Sequence, residues 1–483
     1  MKLTTFVSKT LCAGALLSCF AGFAQKKQPN IIFVFPDQMR GQAMGFEDEE
    51  LVKTPNLDTF KQESVNFSQA IANYPVCSPT RAMIFSGMHP LKNKVILNCN
   101  NETEKFGSEL PKDALCWSDI LSTSGYDLGY VGKWHLDSPR PPYVKCKNNV
   151  GKKKWNEWCE PDRRHGFDYW HAYGTYDYHM HPMYWDTDAP RDGFKIYNQW
   201  GPTHEATKAI EYIENKDGNY RNNDKPFALV VSINPPHSPY DQVPEKYKNI
   251  YKDMDVEKLC DRPNIPAKGT KWGDYYRKNI KNYYACITGV DEQFGRILEA
   301  LKESGIDDNT IIVFTSDHGN CIGIHDRVSK NNWFEESMRV PFMVKVPGVT
   351  NGKNVDYQLG SLDIYPTLLG LLGMSEKTPS NLKGIDYTPA ITGKGKQKTV
   401  DHQWYVRMNY GPKSGGVRGI RDDRYTFVIE NEKDKDQQVY LYDRQEDPYQ
   451  LINIASKNKK KVRRMTSLLK KDLKKYEDPF IIR

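Results

Sequence analysis

The stretch NYPVCSPTRAMIFSGMHP, residues 73 to 90, sets Cys77 two positions before Pro79 and four before Arg81. A thiol so placed has several chemistries open: core packing, half of a disulfide, a thiolate nucleophile, or the precursor of a different side chain. Other reactive types stand where apolar runs end. Asp37 follows IIFVFP, His237 follows FALVVSINPP, and Asp317 and His318 follow IIVFTS. Lys133 and His135 follow the strand-like YDLGYVG. Carboxylates bind hard divalent cations, Arg and Lys hold oxyanions, and histidine works as acid or base near neutrality.

These residues need a frame. Ile31 to Phe35, Phe227 to Ile233 and Ile311 to Phe314 are short, continuous, partly β-branched apolar runs, the pattern of buried parallel strands. Helical stretches alternate with them: TPNLDTFKQES, GPTHEATKAIEYIEN, and NYYACITGVDEQFGRILEALKESG with Gly305 at its end. The alternation predicts an α/β fold with a large, mixed, mostly parallel sheet between helices. Ligands of such sheets bind beyond the carboxyl ends of the strands, so the polar residues at three strand ends are candidates for one site. Residues 140 to 200 are rich in Pro, Lys, Trp, Tyr and His and read as excursions from the sheet. Trp155, Trp158, Trp170, Tyr176 and Trp185 there are available either to wall a substrate or to pack.

Beyond about residue 385 the pattern changes. HQWYVRMNY, YTFVIEN and QQVYLYDRQEDP alternate like antiparallel strands, and KNKKKVRRMTSLLKKDLKKYED reads as a basic helix with one apolar stripe. The expected organisation is a leader over 1–24, a catalytic domain over 25–385 and a smaller C-terminal α+β unit over 386–483. The leader reading rests on a lysine near the start, an apolar stretch from Leu11 to Ala24 and a polar break at Gln25. It predicts an exported, periplasmic or secreted protein. LLSC offers a rival, a lipoprotein anchored at Cys19. Nothing later is apolar enough to span a bilayer.

The 483 residues carry a formal net charge of +7, which suits an anionic substrate but is too dilute to imply nucleic acid. Eight cysteines follow the leader, with no CxxC pair and no zinc spacing among them. With Cys77 set aside an odd number remains, so at least one of the others is expected to be reduced.

The motif Cys77-x-Pro79-x-Arg81 followed by Ser86-Gly87, together with GKWHL, HGFDYW, PPHSPY, TSDHG, SKNNWFEESMRVP and YLYDRQEDPYQLINIA in that order, resembles the type I sulfatases of the alkaline-phosphatase-like superfamily. The resemblance covers nearly all of the chain after the leader. It implies that a maturation enzyme oxidises Cys77 to formylglycine (3-oxoalanine), with Pro79 and Arg81 in the recognised tag. One hydroxyl of the hydrated aldehyde would take sulfur, giving a sulfoenzyme intermediate, and the other would expel sulfate. It makes Asp37, Gln38, Asp317 and His318, with the modified Cys77, the residues for calcium, magnesium or manganese being possible. Arg81, Lys133 and Lys330 would hold charge on the sulfate, His135 would be the base on the second hydroxyl, and His237 the acid for the leaving alcohol. Lys345 is a rival for the place of Lys330. Gln38 and His318 depart from the aspartate and asparagine of many relatives, and imidazole suits borderline metals better than calcium. The implied substrate is a sulfated carbohydrate. A phosphonate monoester or phosphodiester hydrolase of the same superfamily, a non-catalytic binding protein and a thiolate hydrolase are the competing readings.

Overall fold

The computed structural model describes residues 28–409, 415–432 and 434–483; the leader, with Cys12 and Cys19, lies outside them. The strands are β1 (Asn30–Pro36), β2 (Val65–Phe67), β3 (Ala70–Ile71), β4 (Asp127–Lys133), β5 (Tyr169–Tyr173), β6 (Met183–Asp186), β7 (Lys195–Ile196), β8 (Phe227–Ile233), β9 (Thr310–Thr315), β10 (Phe342–Lys345), β11 (Asn354–Val355), β12 (Leu359–Gly360), β13 (His402–Arg407), β14 (Gly416–Asp422), β15 (Tyr425–Asn431) and β16 (Gln438–Asp443). Ten form one sheet in the order β11-β2-β10-β9-β1-β8-β4-β5-β6-β7. Its centre, β9-β1-β8-β4-β5, is parallel throughout. The flanking pairs β9-β10, β10-β2, β5-β6 and β6-β7 are antiparallel.

The three apolar runs are strands because both faces are buried. Ile31, Phe33 and Phe35 of β1 enter one hydrophobic cluster, whereas Ile32 and Val34 enter another on the opposite face. β9 divides likewise, with Ile311 and Val313 on one side and Ile312 and Phe314 on the other. Each such side chain contributes about 1.5–3 kcal/mol of burial, which outweighs any weak local preference for helix. The helices Pro55–Gln62, Gly201–Glu214 and Lys271–Glu303 cover one face. The last begins at Lys271, eleven residues before the periodic stretch that announces it, and is capped by Thr270, whose side chain accepts from Gly273 N. Gly305, at φ +64°, follows its end.

The C-terminal strands pair as β13-β14-β15-β16, all antiparallel, and the helix Lys459–Lys475 packs Met465 and Leu469 against Ile420, Phe427 and Leu441 of that sheet. The sequence pattern hides β14, GVRGIRD, because Gly and Arg interrupt the alternation. Its arginines are buried all the same. Arg418 pairs with Asp478, and Arg421 makes a bidentate pair with Glu335. The eight described cysteines are all free thiols. Of the five aromatic residues offered as a substrate wall, Trp170, Tyr176 and Trp185 are core: Trp170 stacks on Tyr130 with centroids 5.0 Å apart. Trp155 and Trp158 remain half-buried.

Candidate active site

The carboxyl ends of β1, β9, β8 and β4 converge on the first turn of the helix Cys77–Ser86. All ten residues of that helix are buried. Val76 enters it in extended conformation, and Pro79 sits in the first turn, where its missing N–H has no intrahelical partner to lose. Gly87, at φ +65°, closes it with its N–H on Met83 O. Cys77 is therefore the first helical residue, at the end whose free N–H groups favour negative charge. Arg81 lies one turn on, on the same face. Gly132 lets β4 and β8 come together at this end: its φ is +101°, and a Cβ there would stand 2.0 Å from Ser232 O.

Arg81 braces the floor. Its Nε donates to Asp317 Oδ2 (3.1 Å), its Nη2 to Asp37 Oδ2 (3.3 Å), and its Nη1 to Ser232 Oγ (2.7 Å) and Lys133 O (2.8 Å). Lys133 Nζ reaches Asp37 Oδ2 at 2.7 Å and donates to Asn234 Oδ1 at 3.0 Å. Lys330 Nζ stands 3.0 Å from Cys77 Sγ, and its side chain is 13% exposed, unlike the fully buried Arg81 and Lys133. Lys345, the rival, pairs with Glu63 instead.

Two histidines flank the cluster differently. His135 is buried at φ +56°. Its Nε2 lies 3.1 Å from Cys99 O, an acceptor, so Nε2 carries the hydrogen and Nδ1 keeps a lone pair. That Nδ1 is buried and has no hydrogen-bond partner among the described residues. Burial, then Lys133 and Arg81, bring His135 down to about 3, so it is neutral near pH 7. His237 is 17% exposed; its Nδ1 lies 2.7 Å from Ser238 O and 3.4 Å from Asp177 Oδ1. Burial and Lys133 lower it to about 4 against the raising influence of Asp177.

The thiol at position 77 is strongly perturbed. Burial and Asp37 push it up, but Lys330, Lys133 and His318 together outweigh them and bring it to about 5. Burial also raises Asp37, but Lys133, Lys330, His237 and Arg81 hold it well below the usual carboxylate range. Asp317 is raised to about 6 by burial and by Asp37 beside it.

A cation fits between these groups. One ligand atom each from Asp37, Cys77, Asp317 and His318 lies within 4.8 Å of every other, and all four residues are buried. His318 Nδ1 lies 2.9 Å from Gly319 O, which fixes its hydrogen there in the neutral ring. Nε2 then points a lone pair at Cys77 Sγ (3.4 Å), Asp317 Oδ1 (3.6 Å) and Asp37 Oδ1 (3.7 Å). Acceptors so converged could hold a divalent cation in addition to the charge of Arg81, Lys133 and Lys330, and an imidazole whose second nitrogen is held by a carbonyl is the usual dress of a metal ligand. Gln38, at φ +69°, lies at the rim: its N–H donates to Asp317 Oδ1, and its Oε1 accepts from Asn320 Nδ2 at 2.7 Å, which leaves one lone pair.

Three residues here escaped the sequence reading. Ser232 was legible as a lone hydroxyl in an otherwise apolar strand. Asn234 and Asp177 gave no such signal; they sit in a Pro-rich turn and in the aromatic excursion, and only the fold brings them to Lys133 and His237.

The fold has the alkaline-phosphatase-like architecture, with this cluster at the carboxyl ends of its strands. Comparison with known proteins narrows the class. A family model described as Sulfatase matches residues 29–374, and one described as N-sulphoglucosamine sulphohydrolase, C-terminal, matches residues 323–478. The chain is 38% identical to an endo-4-O-sulfatase of Bacteroides thetaiotaomicron, covering 94% of each chain. It is 34% identical to an ulvan-active sulfatase of Formosa agariphila, covering 89% of this chain and 78% of that one. Among solved structures, the Bacteroides fragilis protein assigned as the sulfatase yidJ superposes with a TM-score of 0.90 at 51% identity, covering 95% of this chain and 98% of that one. The chain belongs to the sulfatase family and is a sulfuric ester hydrolase.

Proposed function

We propose that the enzyme removes sulfate from a carbohydrate, with Cys77 converted to formylglycine by a maturation enzyme. The observation that carries this reading is the position of Cys77 Sγ, 3.0 Å from Lys330 Nζ and beside the acceptors Asp37 Oδ1 (3.6 Å), His318 Nε2 (3.4 Å) and Asp317. Sγ marks where the oxygens of the converted side chain would project. Hydrated formylglycine supplies two hydroxyls on one carbon, one to take the sulfuryl group and one to release it. Lys330 and Lys133 hold the sulfate oxygens and offset the charge that builds at sulfur. His135 offers Nδ1 as the base for the second hydroxyl. His237, at the solvent side, hands a proton to the leaving alcohol, with Asp177 orienting its ring.

Asp37, Asp317, His318, the remaining lone pair of Gln38 and the modified residue would hold calcium, which would orient the nucleophile and the sulfate. The set is rich in oxygen, as calcium prefers, and its single imidazole leaves magnesium or manganese open. The carbohydrate is supported by the endo-4-O- and ulvan-active relatives. Half-buried Trp155, whose ring lies 6.3 Å from that of His135, offers a sugar a stacking face. Among the described residues no helix is long and apolar enough to cross a membrane. Export through the leader over residues 1–24, and a boundary after residue 385 that sets the four-stranded sheet and basic helix apart, belong to the same reading. The test is turnover of defined sulfated sugars, 4-O-sulfates of polymeric and monomeric form first, with Cys77→Ala as control. Sulfate release by wild type and none by the variant is expected; release by Cys77→Ala would sink the reading.

A further inference from the structure

The helix Lys459–Lys475 holds nine lysines and arginines and one aspartate, a net +8, while the entire chain carries +7. The positive excess of this protein is thus concentrated on one helix. Its apolar side is used: Met465 and Leu469 are buried in the core of the C-terminal sheet, with Val462, Leu468 and Leu473 packed alongside. The opposite side is not. Lys460, Arg464, Lys471 and Lys475 recur at spacings of four and seven and are all exposed; Lys459, Arg463, Lys470 and Lys474 widen the stripe.

Stability accounts for few of these charges: Lys461 lies over the Tyr425 ring, and Lys474 and Lys475 suit the negative end of the helix dipole. None of the nine cations forms an ion pair among the described residues; Asp472, the lone acid, is engaged by His402. Like charges three and four apart repel along a helix surface. The first turn holds Lys459, Lys460 and Lys461 with no acidic residue, the wrong sign for the positive end of the helix dipole. The stripe therefore costs the helix stability at both its N-terminus and its outer face. An external polyanion would relieve both.

At its C-terminal end the stripe reaches a cleft of about 360 Å³ lined by Gly87, His89, Leu382, Lys383, Lys475 and Tyr476. Tyr476 stacks on His89 with centroids 5.0 Å apart, just beyond the helix that starts at Cys77. The cationic surface is thus joined through packed rings to the element that carries the nucleophile position, yet shares no residue with the catalytic cluster.

We propose that the outer face of Lys459–Lys475 is a second, non-catalytic binding surface for a sulfated polysaccharide chain, which keeps a polymer on the enzyme between cleavages. This rests on the reading of the substrate as a carbohydrate sulfate. The repeated sulfates of such a chain complement cations spaced about 6 Å apart, four residues along a helix at 1.5 Å each.

The test compares full-length protein with the variant K460Q/R464Q/K471Q/K475Q. Dextran sulfate should bind wild type with an affinity that falls steeply as salt rises, and the variant about tenfold or more weakly with a shallower salt slope. On a sulfated monosaccharide kcat and KM should be unchanged, while KM for a sulfated polymer rises. Equal dextran sulfate affinity in both proteins, or tighter binding of duplex DNA or phosphatidylglycerol vesicles than of dextran sulfate at the same ionic strength, would overturn the proposal. If neither protein releases sulfate from any sugar, the catalytic reading fails, and the binding comparison still decides whether the stripe holds sulfated polymer.

Discussion

Lys330 Nζ stands 3.0 Å from the Sγ of buried Cys77, on a side chain that remains 13% exposed. Their contact joins a loop of the chain's second half to the first residue of a buried helix. It supports the proposal of Lys330 over Lys345, which is engaged by Glu63, as the second sulfate lysine. In the proposed reaction, removing this ammonium would leave the sulfate with one fewer donor. Lys330→Ala is expected to lower kcat/KM by about 10²- to 10³-fold, the usual cost of an electrostatic donor at a developing charge, while Lys345→Ala leaves it near wild type. Steady-state kinetics on one sulfated sugar checks both; a larger loss at Lys345 would reverse the assignment.

Asp177 is predicted to matter through His237. Its charge favours the protonated ring, so Asp177→Asn should take His237 below its present value of about 4. The protonated fraction at any pH then falls, and the limb on which activity is lost as the pH rises moves to lower pH. The loss should be large for an alkyl sugar sulfate and small for 4-nitrophenyl sulfate, whose leaving group needs no proton. A pH–rate profile on both substrates measures this. Equal losses on the two would remove Asp177 from proton transfer.

Chelation is expected to abolish activity and to lower the melting temperature, because the Asp37 and Asp317 carboxylates would be left together without their cation. Added calcium should restore both. Asp317→Asn should blunt the thermal response to calcium even where no turnover remains to be measured. A melting temperature indifferent to chelator would speak against the site.

Glu335 and Arg421 tie the C-terminal sheet to the catalytic part through a buried bidentate pair, 2.7 and 2.8 Å. Breaking it with Arg421→Met should cost about 3 kcal/mol, since a buried carboxylate loses its bidentate partner and keeps only Arg444, 3.8 Å away. Burial raises Glu335, but Arg421 and Arg444 bring it down to about 2 from a reference of 4.5. The sign follows: the pair's stabilisation is complete above about pH 4.5 and is lost as the pH falls toward 2. Denaturant melts across that range should show a decline in wild type that is much smaller in Arg421→Met.

The sheet was legible because apolar runs bounded by Pro and polar residues have few other uses. The strand ends likewise announced Asp37, His237, Asp317 and His318. What stayed hidden depends on tertiary neighbours. The buried arginines of β14 look like surface until Glu335 and Asp478 are placed beside them. Asp177 and Asn234 are ordinary loop residues until the chain returns to β4 and β8. The aromatic excursion left two uses open in sequence, and Trp170 and Trp185 take the packing one, covered in the fold.

A thiol brought to about 5 is itself a competent nucleophile, so the central question is what occupies position 77 in the active enzyme. Mass spectrometry of the peptide containing residues 73–81, taken from protein of measured specific activity, answers it. Conversion to formylglycine lowers that peptide by about 18 Da relative to cysteine, and the converted fraction should track activity from preparation to preparation. Full activity in protein whose Cys77 peptide retains the cysteine mass, with inactivation by iodoacetamide, would contradict the account.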